Sequence, residues 1–331
     1  MPVENIARRA ALAAIATSSL VALAPSAVAQ GGPGGYPDRN VKVVVPFAAG
    51  GPTDIMGRVI TQKLTENLGK TFYVENQGGA GGNVGMGAVA RSTADGYTIL
   101  LASPSFVVNP GLYASIPYDP HKDFAPVTNI GESAHALFVH PSFAAKSVKE
   151  MIDLVKREPG KHSYASAGSG TVPHLAFELL KINYKLDIAH VSHRGAGPAV
   201  QTVVAGHIPI GMTTLPPVMG LASAGQLRAL AVTSAERFPT AKDIPTMKEQ
   251  GITDQVNSTW QGVFVPAATP PAIVTFLHAE IAKVVNAPGM REHFTKLGFI
   301  PIMSTPAQFK AQVETEIERW KKVVKDGNIK P

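Results

Sequence analysis

The chain is predicted to be an α/β protein of two domains, each built on a mostly parallel sheet. Three observations predict this. Short apolar or β-branched runs alternate with helix-length amphipathic stretches along nearly the whole sequence. Three of the strand-to-helix turns share one design, glycine and then a helix start: Ala49-Gly50-Gly51-Pro52-Thr53, Ala167-Gly168-Ser169-Gly170-Thr171 with Pro173, and Arg194-Gly195-Ala196-Gly197-Pro198. The length, 331 residues, suits about two domains. With 45% hydrophobic and 16% charged residues the composition is that of a globular protein, and 31 glycines and 27 prolines indicate many tight turns.

In chain order, Arg8-Arg9, the small apolar run Ala10 to Ala24 and the small-x-small site Ala27-Val28-Ala29 read as a signal peptide over residues 1–29, so the protein is expected to be exported. The apolar run is too short to span a membrane. Residues 30–35 form a flexible lead-in. Val41 to Val45 is a buried parallel strand, followed by a helix from Thr53 to Leu68 with Gly69 as its stop. Phe72-Tyr73-Val74 and Tyr97 to Ala102 are strands, separated by a glycine-rich turn and a helix to about Arg91. Phe124 to Val139 holds two apolar runs and is a first crossing between domains; Val256 to Val265 is the second. Ser147-Val148-Lys149-Glu150 and Thr305-Pro306-Ala307-Gln308 are capping boxes that open helices. Ser163 to Ser166, Ile188 to Ser192, Ile208 to Thr213 and Leu227 to Thr233 are strands. Ala272 to Val285 is an amphipathic helix. In the last helix Phe309, Val313, Ile317, Trp320 and Val324 recur at helical spacing and form a core stripe.

Composition and motifs exclude several functions. The chain has no cysteine, which removes disulfides, thiol nucleophiles and thiolate metal sites. The net charge of +6 comes from scattered lysines and arginines without a basic, aromatic-interleaved stripe, so nucleic acid is not an expected partner. No glycine run closes on Gly-Lys-Ser/Thr, and Gly168-Ser169-Gly170 lacks the spacing of a nucleophile elbow. Gly78 to Gly82 matches a dinucleotide fingerprint only loosely. His190 and His193, three apart in a strand, face opposite sides and make a poor metal pair. No cofactor and no metal are expected.

What remains is anion binding. First-turn N–H groups at a helix start are unpaired and sit at the positive end of the helix dipole, a ready seat for a carboxylate. Gly50 and Gly51 let a ligand approach one such start. Ser169, Gly170 and Thr171 supply two hydroxyls and several backbone donors at another, and neutral donors hold an anion without a buried cation. His174, in the first turn of the same helix, can donate to a carboxylate. Arg194 can pair with a ligand, whereas Asp54 repels an anion and suits a cap or a loop brace. An exported hydrolase or lyase using His174 with Ser169 is the competing reading.

The ordered series Tyr36-Pro37, Val45-Pro46-Phe47-Ala48-Ala49-Gly50-Gly51 with Asp54, Val74-Glu75-Asn76, Gly79-Ala80-Gly81-Gly82, Asp95-Gly96-Tyr97-Thr98-Ile99-Leu100, Tyr118-Asp119-Pro120, Pro159-Gly160-Lys161, Gly168-Ser169-Gly170-Thr171 with His174-Leu175, and Leu227-Arg228-Ala229-Leu230-Ala231-Val232-Thr233 resembles the Bug family, the periplasmic solute-binding proteins of tripartite tricarboxylate transporters. The resemblance implies a two-domain periplasmic binding protein fold of type II-like architecture. It has parallel-dominated sheets, a hinge and an interdomain cleft, and no enzymatic activity. The domains are expected at 36–131 with 259–331, and at 132–258. By position, the ligand-binding residues implied are Phe47, Ala48, Gly51 and Asp54 from the first loop, Ser103 and Asn109 from a strand-end loop, and Ser169, Gly170, Thr171 and His174 from the second-domain loop, with Arg194 added where many members carry Pro-Tyr-Lys-Gly. Met212-Thr213-Thr214-Leu215 stands where an acidic residue is frequent, which favours a dicarboxylate or an aromatic carboxylate such as terephthalate over an amino acid. The implied partners are that ligand and a membrane permease. The protein is expected to be a periplasmic monomer without stable membrane insertion.

Overall fold

The computed structural model describes residues 31–326, 329 and 330. The signal peptide expected at 1–29 lies outside them. The elements run β1 Val41–Val45, α1 Pro52–Leu68, β2 Phe72–Asn76, α2 Asn83–Ala90, β3 Thr98–Ala102, α3 Ser105–Leu112, β4 Phe124–Val139, α4 Val148–Arg157, β5 Ser163–Ser166, α5 Val172–Tyr184, β6 Ala189–Ser192, α6 Ala196–Val204, β7 Ile210–Thr214, α7 Pro216–Ser223, β8 Arg228–Val232, β9 Ser258–Pro266, α8 Pro271–Asn286, α9 Met290–Lys296, β10 Ile300–Pro301 and α10 Pro306–Asp326.

The strands are ordered β2-β1-β3-β9-β4-β7-β5-β6, with β8 and β10 also pairing to β4. The flanks are parallel, as strand–helix alternation predicts: β1 with β2 and β3, and β5 with β6 and β7. The centre is antiparallel, because β4 runs against β9, β7, β8 and β10. The sheet is therefore mixed. Two features hid this in the sequence. Pro126 and Gly131 interrupt the apolar pattern of β4, where its register with β9 shifts, so one 16-residue strand read as two runs. Helices also flank the crossing strands on both sides, which imitates a parallel repeat.

The first part of β4 pairs with β9 and β10, and its second part with β7 and β8. This divides the structure into two lobes that share one long strand. Each lobe buries both faces of its sheet. Val41, Val43 and Val45 enter one core with Met56, Ile281 and Phe294; Val44 enters another with Leu100, Phe264 and Phe309. Leu137 and Val139 likewise separate from Ala136 and Phe138. Burial on both sides is why these strands are continuously apolar. The α10 stripe is core: Phe309, Val313 and Ile317 are buried with Val44 and Leu100, and Val324 packs on Val108, Leu112 and Leu175. Among the described residues no helix is long and apolar enough to cross a membrane.

Candidate ligand site

Three helices begin at the carboxyl ends of parallel strands, and their starts line one cavity between the lobes. Gly51, Pro52 and Thr53 open α1, Thr171, Val172 and Pro173 open α5, and Ala196 opens α6. Ligands in such sheets bind outside the strand ends. None of the three helix starts has a side-chain cap. At α1 and α6 the capping position is a glycine, with nothing to cap with. At α5 it is Thr171, but its hydroxyl donates backward to the Gly168 carbonyl at 2.7 Å and braces the turn instead. The first turns of all three helices therefore meet at one cavity without a side-chain acceptor for their free N–H groups, at the positive ends of their dipoles. No charged side chain lines this cavity, whose volume is about 30 Å³. That holds about two waters, or one carboxylate group and its neighbouring atoms.

Hydroxyls close the rest of the wall. Ser103, Thr214 and Thr259 line it. Thr214 is 3% exposed, and its buried hydroxyl has no hydrogen-bond partner. An orphaned hydroxyl costs on the order of 1–3 kcal/mol, which a bound polar ligand would recover. Behind Thr259, its Oγ1 lies 2.7 Å from Nε2 of the fully buried His135, whose Nδ1 meets Asn257 Oδ1.

The lobes touch around the cavity. Ala48 N–H donates to the Arg194 carbonyl at 2.8 Å, and the Tyr113 hydroxyl donates to the Ser169 carbonyl at 3.3 Å. A Cβ on Gly197 would stand 2.6 Å from the Ala49 carbonyl oxygen, so this seam closes only over glycine. Outside it lies a groove of about 350 Å³ bounded by Gly78 to Gly82, Tyr113, Ser169, Ser192, His193 and Arg194; it shares Phe47 and Ala167 with the inner cavity.

The residues expected from the sequence separate into groups. Phe47, Gly51, Ser103 and Thr171 line the inner cavity. Ser169 and Arg194 line the outer groove, and Ala48 lies on the seam. Gly170, at φ +83°, packs against Asn109. Asn109 is buried and ties two loops, donating to the Gly81 carbonyl and to Asn83 Oδ1. Asp54 accepts from Gly50 N–H, Arg58 and Asn76, each at 3.0 Å. Burial raises its pKa, but these hydrogen bonds outweigh it and hold the carboxyl below its usual range. The carboxylate braces the glycine turn. His174 is 2% exposed and accepts the Gly170 N–H on Nδ1 at 3.3 Å. Its ring packs at 4.2 Å on His190, which meets Ser166 Oγ at 2.7 Å and stacks on Tyr164. Burial lowers His174 to about 4 and His190 to about 3, so both are neutral near pH 7. The hydrolase reading fails here: Ser169 faces the outer groove and its N–H bonds Ser192, while the His174 Nδ1 is taken up by the loop backbone.

Sequence reasoning missed Ala196, Thr214 and Thr259, whereas Thr53 belongs to the helix start already singled out. Ala196 had a signal, being in the third glycine turn. Thr214 sat in a segment already noted for lacking an acid. Thr259 had none, since it reaches the cavity through β4–β9 pairing.

Comparison with known proteins agrees with this geometry. Residues 56–329 match the family model described as "Tripartite tricarboxylate transporter family receptor". Protein BugT of Bordetella pertussis is 35% identical over 297 residues, covering 89% of this chain and 91% of that protein. Rpa4515 of R. palustris, solved with adipate, superposes with a TM-score of 0.86 at 33% identity, over 89% of this chain and 99% of that one. MatC of Rhodopseudomonas palustris, solved with bound malate, gives 0.83 at 32% identity, over 87% and 100%. These relatives are substrate-binding proteins and not enzymes. The chain belongs to the tripartite tricarboxylate transporter receptor family of periplasmic solute-binding proteins.

Proposed function

We propose that this receptor captures a small dicarboxylate between its lobes and delivers it to a tripartite tricarboxylate-type permease. One observation carries the reading: three uncapped helix starts converge on a cavity between the lobes that no charged side chain lines. Such a site stabilises an anion by aligned N–H groups and neutral hydroxyls. The inner cavity has room for one carboxylate end and not for an aromatic ring, so the dicarboxylate is favoured over the aromatic acid expected alongside it. The second carboxylate lies toward the outer groove, where Arg194 offers a planar fork. Adipate and malate, in the relatives' structures, are both dicarboxylates.

The domains are 36–131 with 259–331, and 132–258, and hinge closure takes place where β4 and β9 pass between them. Contacts from both lobes bias an open–closed equilibrium toward the closed form. The protein works as an exported monomer.

Calorimetric titration with a panel of mono-, di- and aromatic carboxylates tests this. A dicarboxylate should bind tightest, and Gly197→Leu, which props the seam open, should weaken it by about a hundredfold or more with the unliganded melting temperature unchanged. A panel bound only as aromatic acids or only as amino acids would overturn it.

A further inference from the structure

The strands that pass between the lobes have a second face. Side chains alternate along β4 and β9. His135 Nε2 and Thr259 Oγ1 meet on one face, and Thr259 lines the inner cavity. Glu132, Ser258 and Trp260 stand on the other: Trp260 is directly opposite Glu132 in the register, and Glu132 Oε2 accepts from the Ser258 hydroxyl at 2.8 Å. With α10, β10 and the loop after β8, this face bounds a groove of about 660 Å³, a size typical of small-molecule sites. Val172 is the one residue that the groove shares with the inner cavity.

The lining is apolar and acidic. The chain has two tryptophans, Trp260 and Trp320, and both line this groove. Val256 and Ile300 line it too and are 51% and 45% exposed, so an apolar ligand has side chains to cover. Glu316 accepts from Trp260 Nε1 at 2.8 Å and from the Gln312 amide at 2.9 Å. Glu132 and Glu316 are thus held by neutral donors, and no cation among the described residues is in ion-pair contact with either. The arginines of the groove are engaged elsewhere: Arg237 pairs with Glu249 at 3.0 Å, and Arg319 lies 5.4 Å over the Trp320 ring. With Arg237 neutralised by Glu249, the lining sets Glu132, Glu236 and Glu316 against Arg319 and is net negative.

This charge repels an anion and attracts a cation. A metal ion does not suit the groove, because among the described residues no three acidic or histidine side chains gather to hold one. An organic ammonium does: its charge makes charge-assisted hydrogen bonds to carboxylates, and its carbon skeleton covers indole and aliphatic surface.

We propose that this groove is a second binding site, for a small organic ammonium whose charged end pairs with Glu132 and Glu316 and whose apolar body lies against Trp260 and Trp320. It is independent of the carboxylate reading and gives the chain two sites of opposite charge preference.

The test is the protein's tryptophan fluorescence, since both of its tryptophans line the groove. The probes are cyclohexylmethylammonium and cyclohexylmethanol, which share a ring, differ in charge and leave the signal unobscured. The ammonium should change the fluorescence saturably and bind about tenfold or more tighter than the alcohol. Glu132→Gln combined with Glu316→Gln should weaken the ammonium about tenfold or more and leave the alcohol within about twofold. Val256→Lys adds a cation at a half-exposed position, where folding is not at stake, and should also weaken the ammonium. No saturable response to the ammonium, equal affinity for ammonium and alcohol, or ammonium affinity unchanged in both variants would overturn the proposal. None of these outcomes touches the carboxylate reading, which dicarboxylate calorimetry tests separately.

Discussion

Two sets of helix starts in this molecule are built in opposite ways. At α4 Ser147 Oγ accepts from Glu150 N–H at 3.1 Å, and the Glu150 carboxylate accepts from Lys146 N–H. At α10 the pair is reciprocal: Gln308 N–H donates to Thr305 Oγ1 and Thr305 N–H donates to Gln308 Oε1. These starts satisfy their own orphan donors. At α1, α5 and α6 the capping position is glycine or a threonine turned away, and no side chain covers the first turn. A glycine at the capping position, as at α1 and α6, forgoes only a few tenths of a kcal/mol relative to a capping side chain. The starts of α2, α3, α7, α8 and α9 also lack a side-chain cap, so a missing cap does not mark a site by itself; what sets α1, α5 and α6 apart is that their bare starts line one cavity, where a ligand would supply the missing hydrogen bonds.

The comparison can be broken in order of expected effect. The largest concerns what stands behind the bare starts. The α5 turn is held by His174 and His190, and the cavity wall by His135, all neutral because burial lowers them to about 4, 3 and 4 from 6.5. The unfolded chain binds more protons below 6.5, so stability is fully present above that pH and is lost as pH falls toward 4. Unfolding at pH 5 should take up close to three protons, read from the slope of stability against pH, and His174→Gln and His190→Gln should each remove about one. A flat profile between pH 6.5 and 4.5 would contradict the buried-neutral arrangement.

Next in size, capping a bare start should trade binding for stability. Gly51 has ordinary extended dihedrals and an open Cβ position, its nearest neighbour 3.6 Å away. Gly51→Asp should raise the stability of the unliganded protein by a few tenths of a kcal/mol while weakening the carboxylate at least about tenfold, because the new side chain occupies the ligand's donors. Gain or loss of both together would contradict the contrast. The smallest effect is its mirror: Ser147→Ala should cost about 1 kcal/mol in chemical denaturation and leave affinity unchanged.

Much of this was legible in residues taken locally. The three glycine turns, both capping boxes and the α10 stripe are short-range patterns, and each formed as the spacing required. Phe47, Gly51, Ser103 and Thr171 line the cavity. His174 and Asp54 stand out differently: their side chains were near the right loops but turned inward to brace them, a choice made by neighbours such as His190, Arg58 and Asn76.

Local pattern alone settled that the chain alternates strand and helix and where the glycine turns open helices, since these follow from propensities within a few residues. Only the assembled molecule decided that β4 runs antiparallel through the centre of the sheet, and that Thr214 and Thr259, 45 positions apart, flank the same buried histidine. Cross-strand pairing is a contact between distant segments, and no short window of residues encodes which strand will lie beside which.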